Sequence, residues 1–218
     1  MSDQKPRPPQ FDAAFRQRFA ELVRWRRDVR RFRDEPVRPE LIDELLALAI
    51  HAPSVGFCQP WRFALVESAE RRAAIAENFK RTNHAALAGY DGERRALYAG
   101  LKLEGLTRAP VHLAVCADED AATGHRLGRV TMPETLRYSV VAAIQTFWLA
   151  ARAEGLGVGW VSILDPAAAC RELELPSGWT LIAYLCIGWP QEEHDDPELE
   201  RHGWETRLDQ AVIKPLRR

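Results

Sequence analysis

His51-Ala52-Pro53-Ser54-Val55-Gly56-Phe57-Cys58-Gln59-Pro60-Trp61 is the stretch on which the reading of this chain turns. Its two prolines fix φ and its glycine permits a tight bend, so it reads as a stiff, extended loop. Upstream, Pro39 opens a helix to about His51, with Leu41, Ile42, Leu45, Leu46 and Ala49 on its inward face, and Pro53 stops it. Downstream, Trp61–Glu67 reads as a strand. Within the loop, Ser54 and Gln59 set a hydroxyl and an amide beside aromatic bulk, a mixture that suits a flat heterocycle with hydrogen-bonding edges. A structural proline turn would use the same residues, and the loop alone does not separate the two.

Two further stretches bear on the choice. Phe11, Phe15, Phe19 and Leu22 recur at helical spacing, which predicts a helix over Asp12–Arg26 running into Arg26-Arg27-Asp28-Val29-Arg30-Arg31-Phe32. There Arg26, Arg27 and Arg30 bracket one carboxylate, Asp28. Arginines offer forked donors to phosphate, although a solvated helix end with local ion pairs has the same composition. Further on comes Gly155-Leu156-Gly157-Val158-Gly159-Trp160-Val161-Ser162-Ile163. Its glycines let backbone approach a ligand closely, or simply stop a helix. Ser162 falls on or at the edge of a strand. This is not a dinucleotide fingerprint, because position 160 is Trp and the glycines follow a helix and precede a strand.

The rest of the chain alternates. Ala69–Lys80 reads as a helix, Arg81–Gly92 as a polar stretch broken by Gly89 and Gly92, and Glu93–Thr107 as a helix again. Val111–Cys116 is a strand and Asp118–Thr131 a loop. Pro133 starts what should be the longest helix, to about Glu154. It is apolar on nearly every face between Val140 and Ala151 except at Gln145, which implies burial, with a dimer interface as the natural place. Val158–Leu164 and Thr180–Ile187 are strands on either side of a short helix, Pro166–Leu173. Helices outnumber and separate the strands, giving an α/β or α+β sandwich around a modest sheet.

With 218 residues, the expectation is a flexible, Pro-rich arm over residues 1–10 and a single domain over 11–218. Thirty Lys and Arg against 31 Asp and Glu leave a net charge of −1, which gives no reason to expect nucleic acid or a membrane surface as partner. Cys58, Cys116, Cys170 and Cys186 form no CxxC pair, and the six histidines are scattered, so no metal site is expected. No apolar run approaches the ~18 residues of a membrane span, and the first ten lack a signal-peptide core. The cytoplasm is the expected location.

Taken together, the three stretches resemble the FMN-dependent nitroreductase family. There a basic R-R-S-x-R motif grips the flavin phosphate and ribityl chain, a P-S-x-x-N-x-Q-P-W loop touches the isoalloxazine, and a G-x-G-x-x-W turn lies near it. The family's I-G-x-P strand end is matched by Ile187-Gly188-Trp189-Pro190. The resemblance covers roughly Arg24–Arg207 and implies a nitroreductase-like α+β fold: a mostly antiparallel central sheet flanked by helices, in an intertwined homodimer with FMN at the subunit interface.

Two positions depart from the general pattern: Asp28 stands for the motif's Ser, and Phe57 for its Asn. A carboxylate beside phosphate is costly, about 4 kcal/mol for two unit charges 4 Å apart at an effective dielectric of 20. Its presence suggests proton chemistry near the ribityl chain. R-R-D-V-R, A-P-S-V-G-F-x-Q-P-W, K-L-E-G-L and G-V-G-W-V-S-I occur together in the branch of the family that makes 5,6-dimethylbenzimidazole. All four are here, at Arg26–Arg30, Ala52–Trp61, Lys102–Leu106 and Gly157–Ile163.

That resemblance implies an oxidoreductase acting with O2 on reduced FMN. The flavin is fragmented, its ribityl C1′ becoming C2 of the lower ligand of vitamin B12 and the remaining sugar leaving as erythrose 4-phosphate. It implies Asp28 as the base and Ser162 as its hydrogen-bonding partner. Arg26, Arg27, Val29, Arg30 and Arg201 would hold the phosphate and polar edge, with Arg207 as second choice to Arg201. Ser54, Gln59, Leu103, Gly159 and Val161 would lie against the ring. Phe57 and Trp61 would keep the oxygen pocket dry, and residues 79–98 would form a lid or a plain surface loop. NAD(P)H would enter indirectly, through a flavin reductase that supplies FMNH2. The alternatives are an NAD(P)H-dependent nitroreductase or flavin reductase that recycles FMN, and a non-catalytic flavin-binding protein.

Overall fold

The computed structural model describes residues 8–101 and 105–208. Leu103, and most of the arm expected over residues 1–10, lie outside the described residues. Four strands, β1 (Trp61–Leu65), β2 (Val111–Asp118), β3 (Gly157–Val161) and β4 (Trp179–Gly188), form one sheet in the order β1-β2-β4-β3, with every pair antiparallel.

Helices cover both faces, and β2 shows why it reads as an unbroken apolar run. Leu113 and Val115 point into a core with α2 (Pro39–Ala49) and α6 (Thr135–Ala153), built from Leu41, Ile42, Leu45, Val140, Ile144 and Phe147. Ala114 and Cys116 point the other way, against α3 (Ala69–Leu87), α5 (Gly105–Arg108) and α7 (Pro166–Glu172), where Ile75, Leu106, Ala169 and Tyr184 are packed. A strand buried on both faces loses the polar half of its alternation. In that second core His112 shares a hydrogen bond with the Tyr184 hydroxyl at 2.9 Å. Burial pushes the imidazole down to about 4.

Several sequence expectations shift. The stretch 81–92 is helical to Leu87, because α3, capped by the Ser68 hydroxyl, runs on through it. The helix expected over Glu93–Thr107 is divided into α4 (Gly92–Gly100) and α5. The helix expected from Pro133 begins at Thr135 and has 19 residues, the same as α3. Its burial is largely internal, against the sheet and α2, leaving Tyr138, Val141 and Gln145 outside.

α1 (Ala13–Trp25) is the helix the aromatic spacing requires, with Asp12 accepting from the Phe15 N–H at 2.7 Å. It contains no buried residue, and Phe11, Phe15 and Phe19 stack along an exposed face. α8 (Glu198–Arg201) is a single turn near the end of the described chain. No helix among the described residues is long and apolar enough to cross a membrane.

Candidate active site

After α1 the chain turns extended, meets the free edge of β3 at Asp28 and Val29, and then runs beside the segment that follows β4. Val29 N–H donates to the Val158 carbonyl at 3.0 Å, Arg33 N–H to Trp189 at 2.8 Å, and Gln191 N–H to Arg31 at 3.1 Å. Gly157 and Gly159 make this approach possible. A Cβ on Gly157 would lie 2.8 Å from the Val29 side chain, and one on Gly159 would fall on the Val29 carbonyl oxygen. The close approach expected of these glycines is therefore to the chain's own basic segment on that side. Gly155, at φ +81°, ends α6 in the left-handed region.

Asp28 sits where this segment crosses β3. Its Oδ1 accepts from the Trp160 N–H at 2.8 Å, and its Oδ2 lies 3.3 Å from Arg30 Nε. The surrounding protein pushes the carboxyl above its ordinary value of 3.8, against the lowering pull of the Trp160 N–H and Arg30, while Glu198 adds to the rise. Even so, 39% of the Asp28 side chain remains open to solvent. The crowding comes from one side, and the other faces open space.

That space is two cavities sharing the wall Asp28-Val29-Arg30. The larger, about 570 Å³ with the space that opens to solvent, is walled by charged groups, with Arg27, Arg31, Arg152, His194, Glu198 and Arg201 among its lining residues and Trp148 at its side. The smaller, about 250 Å³, is lined by Gly105, Leu106, Gly159, Trp160, Val161 and Cys186. Four side-chain nitrogens are buried without a hydrogen-bond partner among the described residues, and two of them, Arg27 Nε and Arg30 Nη1, belong to the basic segment. A buried cationic N–H without an acceptor is costly, and a ligand anion is the economical remedy.

The arginines fall into two groups. Arg201 is held by Asp196, at 2.6 Å, and Arg31 pairs with Glu192 and Glu198. Arg26 instead lies over the Trp148 ring, 4.8 Å from its centroid, and Arg27 donates to the carbonyls of Arg26 and Asp195. Burial lowers the values of Arg26 and Arg27 and the like charge of Arg207 adds to it, while Asp28 for Arg26, and Asp195 and Asp196 for Arg27, oppose the shift. Arg26, Arg27 and Arg207 thus gather as a cation cluster, none of them in a close salt bridge among the described residues.

The structure does not bring every expected residue to this place. Val29, Arg30, Gly159, Val161 and Arg201 line the cavities with Arg27 and Asp28. Ser162 is exposed just past the end of β3 and makes no hydrogen bond among the described residues. Ser54 and Gln59 lie elsewhere. Ser54 Oγ accepts from the Gln59 N–H at 3.1 Å, bracing a loop in which Gly56, Phe57 and Gln59 all have positive φ. For Phe57 and Gln59 that conformation is strained, the kind of strain that gathers at functional loops.

The loop hangs from α6, where Val55 N–H donates to Ser139 Oγ at 3.0 Å. Trp148, further along the same helix, donates to the Arg27 carbonyl at 3.2 Å. Residues 139 and 148 are separated by about two and a half turns, roughly 14 Å of helix axis. Trp61 is packed in the core rather than at either cavity, and Phe57 is 74% exposed. Residues 79–98 form the end of α3 and most of α4, with Tyr90 and Tyr98 stacked on each other and against Trp204.

Sequence reasoning missed the Trp160 N–H, Glu198, Trp148 and Cys186. The first is a backbone group with no sequence signal. Glu198 lies in an acidic stretch that reads as solvated surface.

The profile of the Nitroreductase family matches residues 23–189. A protein of Rhodospirillum rubrum described as 5,6-dimethylbenzimidazole synthase is 55% identical over 206 residues, 94% of this chain and 98% of that protein. One of the same description from Rhodobacter capsulatus is 48% identical over 91% of this chain and 96% of that protein. Among solved structures, iodotyrosine deiodinase bound to FMN and 3-iodo-L-tyrosine superimposes with a TM-score of 0.72 at 24% identity, covering 92% of this chain and 99% of that one. A nitroreductase-like protein of Bacillus cereus gives 0.60 at 23% identity, covering 90% and 96%.

Proposed function

The chain belongs to the nitroreductase family, and from that premise we propose that it converts reduced FMN, with O2, to 5,6-dimethylbenzimidazole. One observation carries the reading. The Asp28 carboxylate is fixed by Trp160 N–H and Arg30 at the seam of an arginine-lined cavity and a more apolar one. FMN has the matching order of parts: a phosphate, a sugar-alcohol chain and a flat ring. Arg30 Nη1 and Arg27 Nε, without a partner among the described residues, and the clustered cations Arg26, Arg27 and Arg207 fit its anionic end. Arg207 suits the phosphate better than Arg201, which Asp196 already neutralises.

Bound reduced FMN supplies both the electrons that O2 takes up and the carbon skeleton of the product. The chain's own residues hold it and move protons. With Oδ1 committed to Trp160, Asp28 Oδ2 is the atom left to accept a proton from the ribityl chain. Its raised value makes it the stronger base, and covering the open side would raise it further. Val29, Gly159 and Val161 form the ring's bed, and the unengaged Ser162 hydroxyl orients the ribityl oxygens or Asp28.

Ser54 and Gln59 reach the ring of a second copy. That explains why one chain keeps them far along α6, and why Phe15 and Phe19 of α1, with Tyr138 and Val141 of α6, are left exposed. A separate flavin reductase supplies FMNH2 at the expense of NAD(P)H, in the cytoplasm.

Protein, photoreduced FMN and air are incubated and the products are separated by mass. Dimethylbenzimidazole accumulating as FMN disappears supports the reading. FMN recovered intact, with NADPH oxidised against an added electron acceptor, would replace it with a flavin-recycling reductase.

A further inference from the structure

Glu198 is the acidic residue to which neither the sequence motifs nor the reaction gives a part. It opens α8, the turn that also carries Arg201, and its side chain is only 9% exposed. Its two oxygens are divided. Oε1 lies 3.2 Å from Arg31 Nη1, and Oε2 lies 3.9 Å from Arg30 Nε, the same nitrogen that sits 3.3 Å from Asp28 Oδ2. One guanidinium nitrogen is shared by two carboxylates, while the Nη1 of the same side chain is buried without a partner.

A lone arginine two residues from an aspartate would be free to turn its fork fully onto that carboxylate, and a bidentate pair of that kind is the strong form. Such a grip would make Asp28 a poor base. Here Glu198 draws Arg30 the other way, and Nη1 is left without an acceptor among the described residues. We propose that Glu198 is a positioning residue: it holds Arg30 between two acids, so that Asp28 remains a proton acceptor and Arg30 retains a free donor for the bound molecule. The use of Asp28 in catalysis rests on the function proposed above; the coupling of Glu198 to Asp28 through Arg30 does not.

The other groups facing Asp28 leave room for this role. On its own segment there are Arg26 and Arg30. β3 contributes the Trp160 N–H, β4 the buried Cys186 thiol, and α8 Glu198. Arg31, Arg152 and His194 share the larger cavity, with Arg31 and Arg152 paired to Glu192 and Glu193. Among these, Glu198 is the carboxylate that raises Asp28.

The test reads Asp28 in the ligand-free, full-length protein. Carboxyl carbons are labelled, and the Asp28 resonance is identified by its loss in Asp28→Asn. Its titration midpoint is then compared among wild type, Glu198→Gln, Glu198→Asp and Glu192→Gln. Glu198→Gln should lower the midpoint, since it removes a repelling charge and releases Arg30 onto Asp28. Glu198→Asp, whose carboxylate sits one methylene further back, should lower it part of the way, and it carries the test if the glutamine variant does not fold. Glu192→Gln, which takes the same charge from Arg31 without touching Arg30, should shift it least.

In the dimethylbenzimidazole assay the acid limb of the pH profile should move down with the Glu198→Gln midpoint. An Asp28 midpoint unmoved or raised in Glu198→Gln overturns the inference. Absence of the product from wild type would sink the proposed reaction and leave the titration result to decide the coupling by itself.

Discussion

Asp28 shows at the scale of one residue what a site costs the fold that carries it. Its carboxyl is raised above the ordinary 3.8 by the protein around it. A carboxyl raised on folding favours the protonated, folded chain, so its contribution to stability is present in acid and lost as pH climbs through the shifted value. As pH rises, the wild type must ionise this group in an environment that disfavours the charge. Asp28→Asn can keep the Trp160 bond through its amide oxygen and carries no charge. The empty variant should therefore melt higher than wild type at pH 7, with the gap closing as the solution is acidified. A variant that melts lower at neutral pH would show that the Arg30 pairing outweighs the burial. The chemical oddity of Asp28 was legible in the sequence, because an acid among arginines stands out there. Its hold was not, because Trp160 contributes a backbone N–H and Glu198 is far away in the chain.

Among the elements, the decisive packing is the basic segment 28–32 against the edge of β3. Gly157 and Gly159 had a visible spacing but an ambiguous meaning: helix stop, ligand approach, or, as it turns out, room for Val29. Gly159→Ala would set a methyl on the Val29 carbonyl oxygen and push Asp28 away from the Trp160 N–H. Overpacking of this kind typically costs about 1–3 kcal/mol. A lowered melting temperature together with lost quenching of FMN fluorescence is the expected result; unchanged binding would mean the segment tolerates displacement. The helices were read well where the apolar period was strong, as in α1, α2 and α6, and poorly over 81–92. There the polar surface of α3 hid its continuation, since an exposed helical turn needs no apolar residue. β2 was plain because burial on both faces leaves an unbroken apolar run.

The whole molecule holds the proposed site in two parts. The cation cluster and Asp28 lie at one end of α6, and the strained Ser54–Gln59 loop hangs from the other. A single chain also leaves Phe11, Phe15 and Phe19 stacked in the open. The proposed second copy, whose loop would complete the ring site, accounts for both features. Light scattering should give twice the 24.7 kDa of one chain. Phe15→Glu combined with Phe19→Glu should yield a monomer that has lost flavin binding along with its partner. A monomeric variant that still binds FMN with wild-type affinity would place the whole site within one chain. The family resemblance implies the pairing. The division of the proposed site could not be read from it, because distances between loops along a buried helix leave no mark on a linear sequence.

The proposed chemistry rests on one acid and is best tested by separating binding from turnover. Wild type and Asp28→Asn are each loaded with reduced FMN without oxygen. Bound flavin is measured, air is admitted, and dimethylbenzimidazole is quantified by mass. The expected result is comparable flavin binding with product lowered by about a hundredfold or more in the variant, the size of a lost general base. Equal product from the two proteins would contradict the part given to Asp28.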